Sequence, residues 1–170
     1  QDGNFIITGS NDSTAMVWDL KTGKLLRTFI QFQPVQSAIF SPDGKSALTR
    51  SSLAVLWSVK GKKNGKLIGS TFYGMNSATY SPNGKWILTA TNNVSATIWN
   101  SKSLKSIHTL EGHTGSITSA CFSPDGRWIA TSSEDKTAKL WDANTGKNIR
   151  TFTGHRSSVS SAIFSHDGKT

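Results

Sequence analysis

The sequence holds a single cysteine, Cys121, no apolar run of 18 residues, and no acidic residue between positions 45 and 110. One cysteine excludes an internal disulfide framework and any multi-cysteine zinc site. Without a long apolar run or a basic-then-apolar leader, nothing in the sequence spans or targets a membrane. A cytoplasmic location is the expectation, although Gln1 in place of an initiating Met leaves a removed leader open. His108, His113, His155 and His166 have no metal-ligand spacing, and neither a phosphate-cradling glycine loop nor a paired acid/base signature is present. No cofactor, no metal and no catalytic residue are therefore expected.

What is present is charge and repetition. The net charge is +9, and residues 45–110 carry nine Lys or Arg with no Asp or Glu, whereas the remainder has ten of each sign. That local excess favours acidic partners, whether protein, phosphate-bearing or membrane surface, in a salt-sensitive way. At 170 residues the chain is long enough for a core; a fold of this size buries about 70% of the surface its unfolded chain exposes.

Tryptophans at Trp18, Trp57, Trp99 and Trp141 are spaced 39, 42 and 42 residues, and turns of Ser-Pro-Asp-Gly type begin at Ser41, Ser81, Ser123 and Ser165, spaced 40, 42 and 42. Two independent markers with one period define a supersecondary unit that buries its faces only by stacking on copies of itself. The approximate units are 1–40, 41–80, 81–122 and 123–164, with a further one starting at 165–170, all in one repeat region over 1–170. The most regular unit reads as four strands. Ile117–Phe122 stops at the turn Ser123–Gly126; Trp128–Thr131, Thr137–Trp141 and Asn148–Phe152 follow, separated by short polar turns. Connections this short require antiparallel neighbours and leave no room for crossover helices. Alanines at fixed places in the first and third strands, and apolar residues on both strand faces, point to sheets covered on both sides. Cys121 occupies the slot of Ile39, Thr79 and Ile163, which reads as a small strand position and not a reactive thiol.

Gly112-His113, Phe122-Ser-Pro-Asp-Gly126, Thr131, Asp135 and Trp141-Asp142 resemble the WD-repeat β-propeller family, and the resemblance covers essentially the whole chain. It implies an all-β fold of radially stacked, four-stranded antiparallel blades. It also implies a hydrogen-bonded chain in which Asp135 holds His113, His113 meets Thr131, and Thr131 accepts the Trp141 indole N–H. A buried indole and imidazole each need such partners. A catalytic triad built on His113 and Asp135 is the rival reading. It lacks any sign of an accessible nucleophile or oxyanion hole.

The pattern decays elsewhere. The first repeat keeps Thr8, Asp12 and Trp18 without a preceding His. The second keeps Thr49 and Trp57, has Gln31 or Phe32 near the His position, and is read as having lost its network. The third has Thr89 and Trp99, with Asn93 in place of Asp. His155 stands without its own Thr, Asp and Trp, and would complete the first set if Val159–Phe164 closed a ring against the first repeat. Three arrangements are open: a small closed ring, half of an eight-bladed ring shared by a homodimer, or a partial ring. Gln1 and the unfinished turn at the other end favour a segment of a larger propeller.

The expected function is a non-catalytic interaction scaffold that binds a protein or peptide through one loop face. The residues placed there are Phe32, Tyr73, Met75, Arg50, Thr114, Glu134, Arg156, Asn11 and Asn92, a set that includes aromatic and Arg types enriched at interface hot spots. The alternative is electrostatic binding of nucleic acid or another anionic surface through Lys60, Lys62, Lys63 and Lys66, on a hairpin read as three residues longer than its counterparts. Lys45, Lys85, Lys102 and Lys105 would share that face. No aromatic residue interleaves these lysines, which weakens base stacking. Asn11-Asp-Ser13 and Asn93-Val-Ser95 match the glycosylation acceptor pattern, with no other sign of secretion.

Overall fold

Each Ser-Pro-Asp/Asn-Gly turn folds on its own serine. In the first, Ser41 Oγ donates to Asp43 Oδ1 at 2.6 Å and accepts the Ser46 amide at 2.9 Å. Ser81 does the same with Asn83 and Trp86, and Ser123 with Asp125 and Trp128. The last turn residue must adopt positive φ, which Gly44, Gly84 and Gly126 do at 67°, 69° and 73°. These turns reverse the chain with alternating apolar residues on either side, and hairpins follow.

The computed structural model describes residues 3–61, 64–69 and 74–166. Among them lie fifteen strands and no helix. These are β1 (Phe5–Gly9), β2 (Thr14–Asp19), β3 (Leu25–Ile30), β4 (Ser37–Phe40), β5 (Ser46–Arg50), β6 (Ala54–Ser58), β7 (Lys66–Ile68), β8 (Met75–Tyr80), β9 (Trp86–Thr91), β10 (Ala96–Asn100), β11 (Ser106–Leu110), β12 (Ile117–Phe122), β13 (Trp128–Ser133), β14 (Ala138–Asp142) and β15 (Asn148–Phe152). They form four antiparallel meanders in chain order: β1-β2-β3, β4 to β7, β8 to β11, and β12 to β15. The first sheet has three strands, one fewer than the blade pattern implies, because the chain enters it at the second strand of the repeat.

The chain divides into two compact units, Gln1–Phe72 and Tyr73–Thr170. In the first, β1 packs beside β4, and Ala15, Val17, Phe29, Val35, Ala47, Val55 and Trp57 form the core. Phe29 stacks on Trp57 with ring centroids 5.1 Å apart. In the second unit, β12 lies against β8 and β9, and the core runs from Leu88 and Ile98 through Leu110, Ile117 and Ile129 to Trp141.

Polar side chains stitch neighbouring sheets within each unit. Asn76 Nδ2 donates to the Ile117 carbonyl at 2.8 Å and Ser77 Oγ to that of Ala120 at 3.0 Å. Forty-two residues after Asn76, Thr118 Oγ1 donates to the Val159 carbonyl at 2.5 Å, and nearby, at a different register position from Ser77, Cys121 Sγ reaches the carbonyl of Ala162 at 3.3 Å. The segment Val159–Phe164 thus runs beside β12 as β12 runs beside β8, but it forms no ladder, since no described strand pairs with it. Cys121 is half-buried there, and burial pushes its thiol up, away from the thiolate. Outer strands are joined too: Arg27 Nη2 donates to the Gly61 carbonyl at 2.6 Å in the first unit, and His108 Nε2 meets the Asn144 carbonyl at 2.7 Å in the second.

The loop between β6 and β7 runs over seven residues (59–65), two and not three more than the five of its counterparts (20–24, 101–105, 143–147), and nothing is inserted to lengthen it. Leu56 pairs with Lys66, ten positions on (66 − 56), as Val17 pairs with Arg27, Ile98 with His108 and Leu140 with Arg150. Its strands part sooner instead. In the other three sheets pairing continues across a bulge to Trp18↔Leu25, Trp99↔Ser106 and Trp141↔Asn148, whereas Trp57 has no partner on β7.

Candidate functional site

One indole-to-hydroxyl bond recurs in all four sheets. Trp18, Trp57, Trp99 and Trp141 donate Nε1–H to Thr8, Thr49, Thr89 and Thr131 at 3.0, 2.7, 2.8 and 2.8 Å. Each Thr sits on the second strand of the repeat and each Trp on the third, so register alone aligns them.

The last sheet carries the full chain. His113 Nε2 lies 2.8 Å from Thr131 Oγ1, and Nδ1 lies 2.7 Å from Asp135 Oδ2. Thr131 accepts from Trp141, so its own proton goes to Nε2, and Nδ1–H is left to donate to Asp135. Asp135 also accepts the Thr114 amide at 3.0 Å, the Thr137 amide at 2.9 Å and the Thr137 hydroxyl at 2.6 Å. Burial holds the His113 imidazole below its ordinary value, against the opposing pull of Asp135. For Asp135, burial raises the carboxyl, but the donors from Thr137, His113 and Thr114 outweigh it and hold the group well below the usual carboxylate range. The pair is therefore a neutral imidazole bonded to a carboxylate. With both ring nitrogens committed and 4% of the residue exposed, His113 has no free face for a substrate proton.

These directions set a pH dependence. The unfolded imidazole takes up a proton near its ordinary value of about 6.5 while the folded one resists, so the unfolded state binds more protons below that pH. Stability of the second unit is expected to fall from pH 7.5 to 5.5, and again below about pH 4 as Asp135 is forced to protonate. Hydrogen exchange in β13 and β14 measures both steps, and His113→Gln should flatten the first alone.

The second repeat has not lost its network. Gln31 Nε2 donates to Thr49 Oγ1 at 2.7 Å, beside the Trp57 bond to the same atom. The connection into this sheet is one residue shorter, since Phe29 and Val35 occupy the sheet positions of Leu110 and Ile117 and enclose five residues instead of six. Gln31 therefore stands where Gly112 stands in the last repeat, and its longer side chain reaches the slot that His113 fills. Phe32, at the His register, turns fully outward with 101% exposure. Asp12 and Asn93 do not face a His. Asp12 caps its own turn through Thr14, and Asn93 Oδ1 accepts the Val94 amide.

The residues assigned to a loop face are distributed as follows. In the first unit Asn11 and Phe32 are exposed, and Arg50 is half-buried at the end of β5 with Nη1 bonded to Gln36 Oε1 at 2.5 Å. In the second unit Asn92, Thr114, Glu134 and Arg156 are exposed, as is His155. Met75 is a correction: it opens β8 and is 4% exposed, so its side chain serves packing. Tyr73, Lys62 and Lys63 lie outside the described residues. Lys60 and Lys66 are exposed, and the Val59 amide bonds to the Lys45 carbonyl, which brings the turn bearing Lys45 to the hairpin bearing Lys60. Lys85, exposed, is joined through its carbonyl to Ser101, beside Lys102. The contacts of Arg27 and His108 escaped the sequence reading, and these two residues share one register position on the outer strands.

Among the described residues no group of three or more His, Cys, Asp or Glu is placed to hold a metal ion, and no helix is long and apolar enough to cross a membrane. Antiparallel four-stranded meanders with a recurring Trp–Thr bond define a protein of repeated β-blades. The family model described as WD domain, G-beta repeat matches residues 1–19, 104–142 and 146–170. The chain belongs to the WD-repeat family, whose members are typically non-catalytic scaffolds for protein interaction.

Proposed function

We propose that this chain is a non-catalytic scaffold that binds a protein or peptide through the loops that follow the second and outer strands of each sheet. The observation that carries this reading is the fourfold recurrence of the Trp–Thr bond. A constellation that includes the only Asp–His–Thr chain among the described residues, and that repeats with His, Gln or neither, holds loops in place; it does not build one reaction centre. The loops so held present Phe32 and Asn11 in the first unit and Asn92, Thr114, Glu134 and Arg156 in the second. The test is affinity capture from the native lysate with wild type and with a Phe32→Ala/Glu134→Lys/Arg156→Glu variant. A partner set lost in the variant supports the reading, and an unchanged set overturns it.

A second reading is favoured by the exposed Lys60 and Lys66 beside the turn of Lys45 in a stretch without acids. An anionic polymer or surface would be held there electrostatically, and its affinity would fall steeply with salt. Replacing Lys60, Lys62, Lys63 and Lys66 by Ala should weaken binding of a single-stranded oligonucleotide at least tenfold at 50 mM salt. Fluorescence anisotropy at two salt concentrations measures it.

A further inference from the structure

Three departures from the repeat meet at one place in the first unit. The shortened connection throws Phe32 outward and draws Gln31 inward. Gln31 spends its amide N–H on Thr49, whose own proton lies toward the Val55 carbonyl at 3.4 Å, and Gln31 Oε1 is left buried without a hydrogen-bond partner. A buried acceptor in that state costs free energy until a donor reaches it. The early parting of β6 and β7 leaves Trp57 without a ladder partner on β7, so its indole, 7% exposed, is covered by the Gly65 backbone and not by an outer-strand side chain. Gly65 stands where the other sheets carry Leu26, Ile107 and Ile149, and its backbone passes so close that a Cβ would lie 2.4 Å from Val55 Cγ1 and 2.9 Å from Trp57 Cη2.

The result is a groove of about 510 Å³ lined chiefly by Ile30, Gln31, Val55, Trp57 and Leu67, with Phe32 at its lip. Ile30 and Leu67 are 73% and 53% exposed; Leu67 matches the other outer strands, and Ile30 exceeds them. One wall is made by Asn64, Gly65 and Leu67 of the β6–β7 hairpin, whose exposed Lys66 stands between Gly65 and Leu67 in the chain and whose exposed Lys60 lies further along the same hairpin. No acidic residue lies between 45 and 110, and against Asp43 of the adjoining turn stand the exposed Lys45, Lys60 and Lys66, so the charge near that wall is net positive.

We propose that this groove docks a short extended peptide of a partner protein. An apolar side chain lies against Val55, Trp57 and Leu67, a peptide N–H satisfies Gln31 Oε1, and flanking Asp or Glu residues answer the positive wall. The inference deepens the scaffold reading and rests on it for the class of ligand, but it needs none of the loop residues of the second unit. Apolar volume with one convergent polar atom is the usual make-up of a specific pocket, and an extended segment offers a backbone donor beside every side chain it presents.

The test uses the full chain and two fluorescent ten-residue peptide libraries: one with a single Phe or Leu flanked by Asp and Glu, the other matched with Lys and Arg as the flanks. Anisotropy should show saturable binding of the acidic library alone, weakened several-fold between 50 and 300 mM salt. Gln31→Leu should weaken it roughly five- to tenfold, and Leu67→Asp, at an exposed position that leaves the fold intact by circular dichroism, should remove it. Glu134→Lys/Arg156→Glu should leave it unchanged. Binding that survives both groove variants, equal binding of the basic library, or no binding by either overturns the groove. Concentration-dependent dimerisation in sedimentation that Leu67→Asp abolishes also overturns it, since the groove would then be filled by a second copy. Capture of proteins through the loop residues without groove binding sinks this inference and spares the scaffold; groove binding without loop-dependent capture does the reverse.

Discussion

Replacing Trp141 by Ala is expected to cost the second unit about 4 kcal/mol, in the range found when a large aromatic leaves a closed core. The indole is 1% exposed, belongs to the cluster that joins β10, β13 and β14, and lies 6.2 Å from the His113 ring. Its removal opens a cavity and strips Thr131 of the donor held at 2.8 Å. Trp18→Ala is the internal control. That indole makes the same bond, but from a half-exposed position against an exposed Thr8, and about 1 kcal/mol is expected there. Urea titration read by hydrogen exchange on peptides of each unit separates the two, because the units need not unfold together. Equal losses would remove the distinction between a buried and an edge network.

His113→Ala is the second large effect, about 3 kcal/mol against the second unit. The imidazole joins Thr131 to Asp135, and its loss leaves the Thr131 proton without its acceptor while Asp135 keeps only the Thr114 and Thr137 donors. The same variant decides between scaffold and enzyme. Turnover of activated ester substrates by wild type, lost in a still-folded His113→Ala, would contradict the scaffold reading. The expected outcome is no turnover in either protein and a lower unfolding midpoint in the variant.

The Trp and Ser-Pro-Asp-Gly spacings made the sheets legible because both markers act locally. A turn that closes on its own serine and a Trp diagonal to a Thr on the neighbouring antiparallel strand depend on residues within about ten positions of each other. The partners of His113 were legible by resemblance. Gln31 was legible only as one of two candidates, with Phe32, for the His position, because a deletion in the connection changes which residue faces inward, and its bond to Thr49 was not legible at all. Met75 was misplaced for a related reason, since a loop boundary judged from turn residues fell past the true start of β8. The β6–β7 loop is longer because its strands part early, and Lys and Gly marked that loop correctly while giving no sign that the register beyond it is preserved. Arg27 and His108 act between sheets, and no spacing within one repeat announces such a contact.

The bonds from Asn76 to Ile117 and from Thr118 to Val159 end on main-chain carbonyls. A carbonyl is offered by every amino acid, so the joint between one module and the next asks almost nothing of the side chains on its accepting side. Mutations can therefore accumulate at those positions without prising modules apart, and a module that has exchanged its imidazole for an amide still fits the slot. Tolerance at the joints is what frees the intervening connections to diverge in shape.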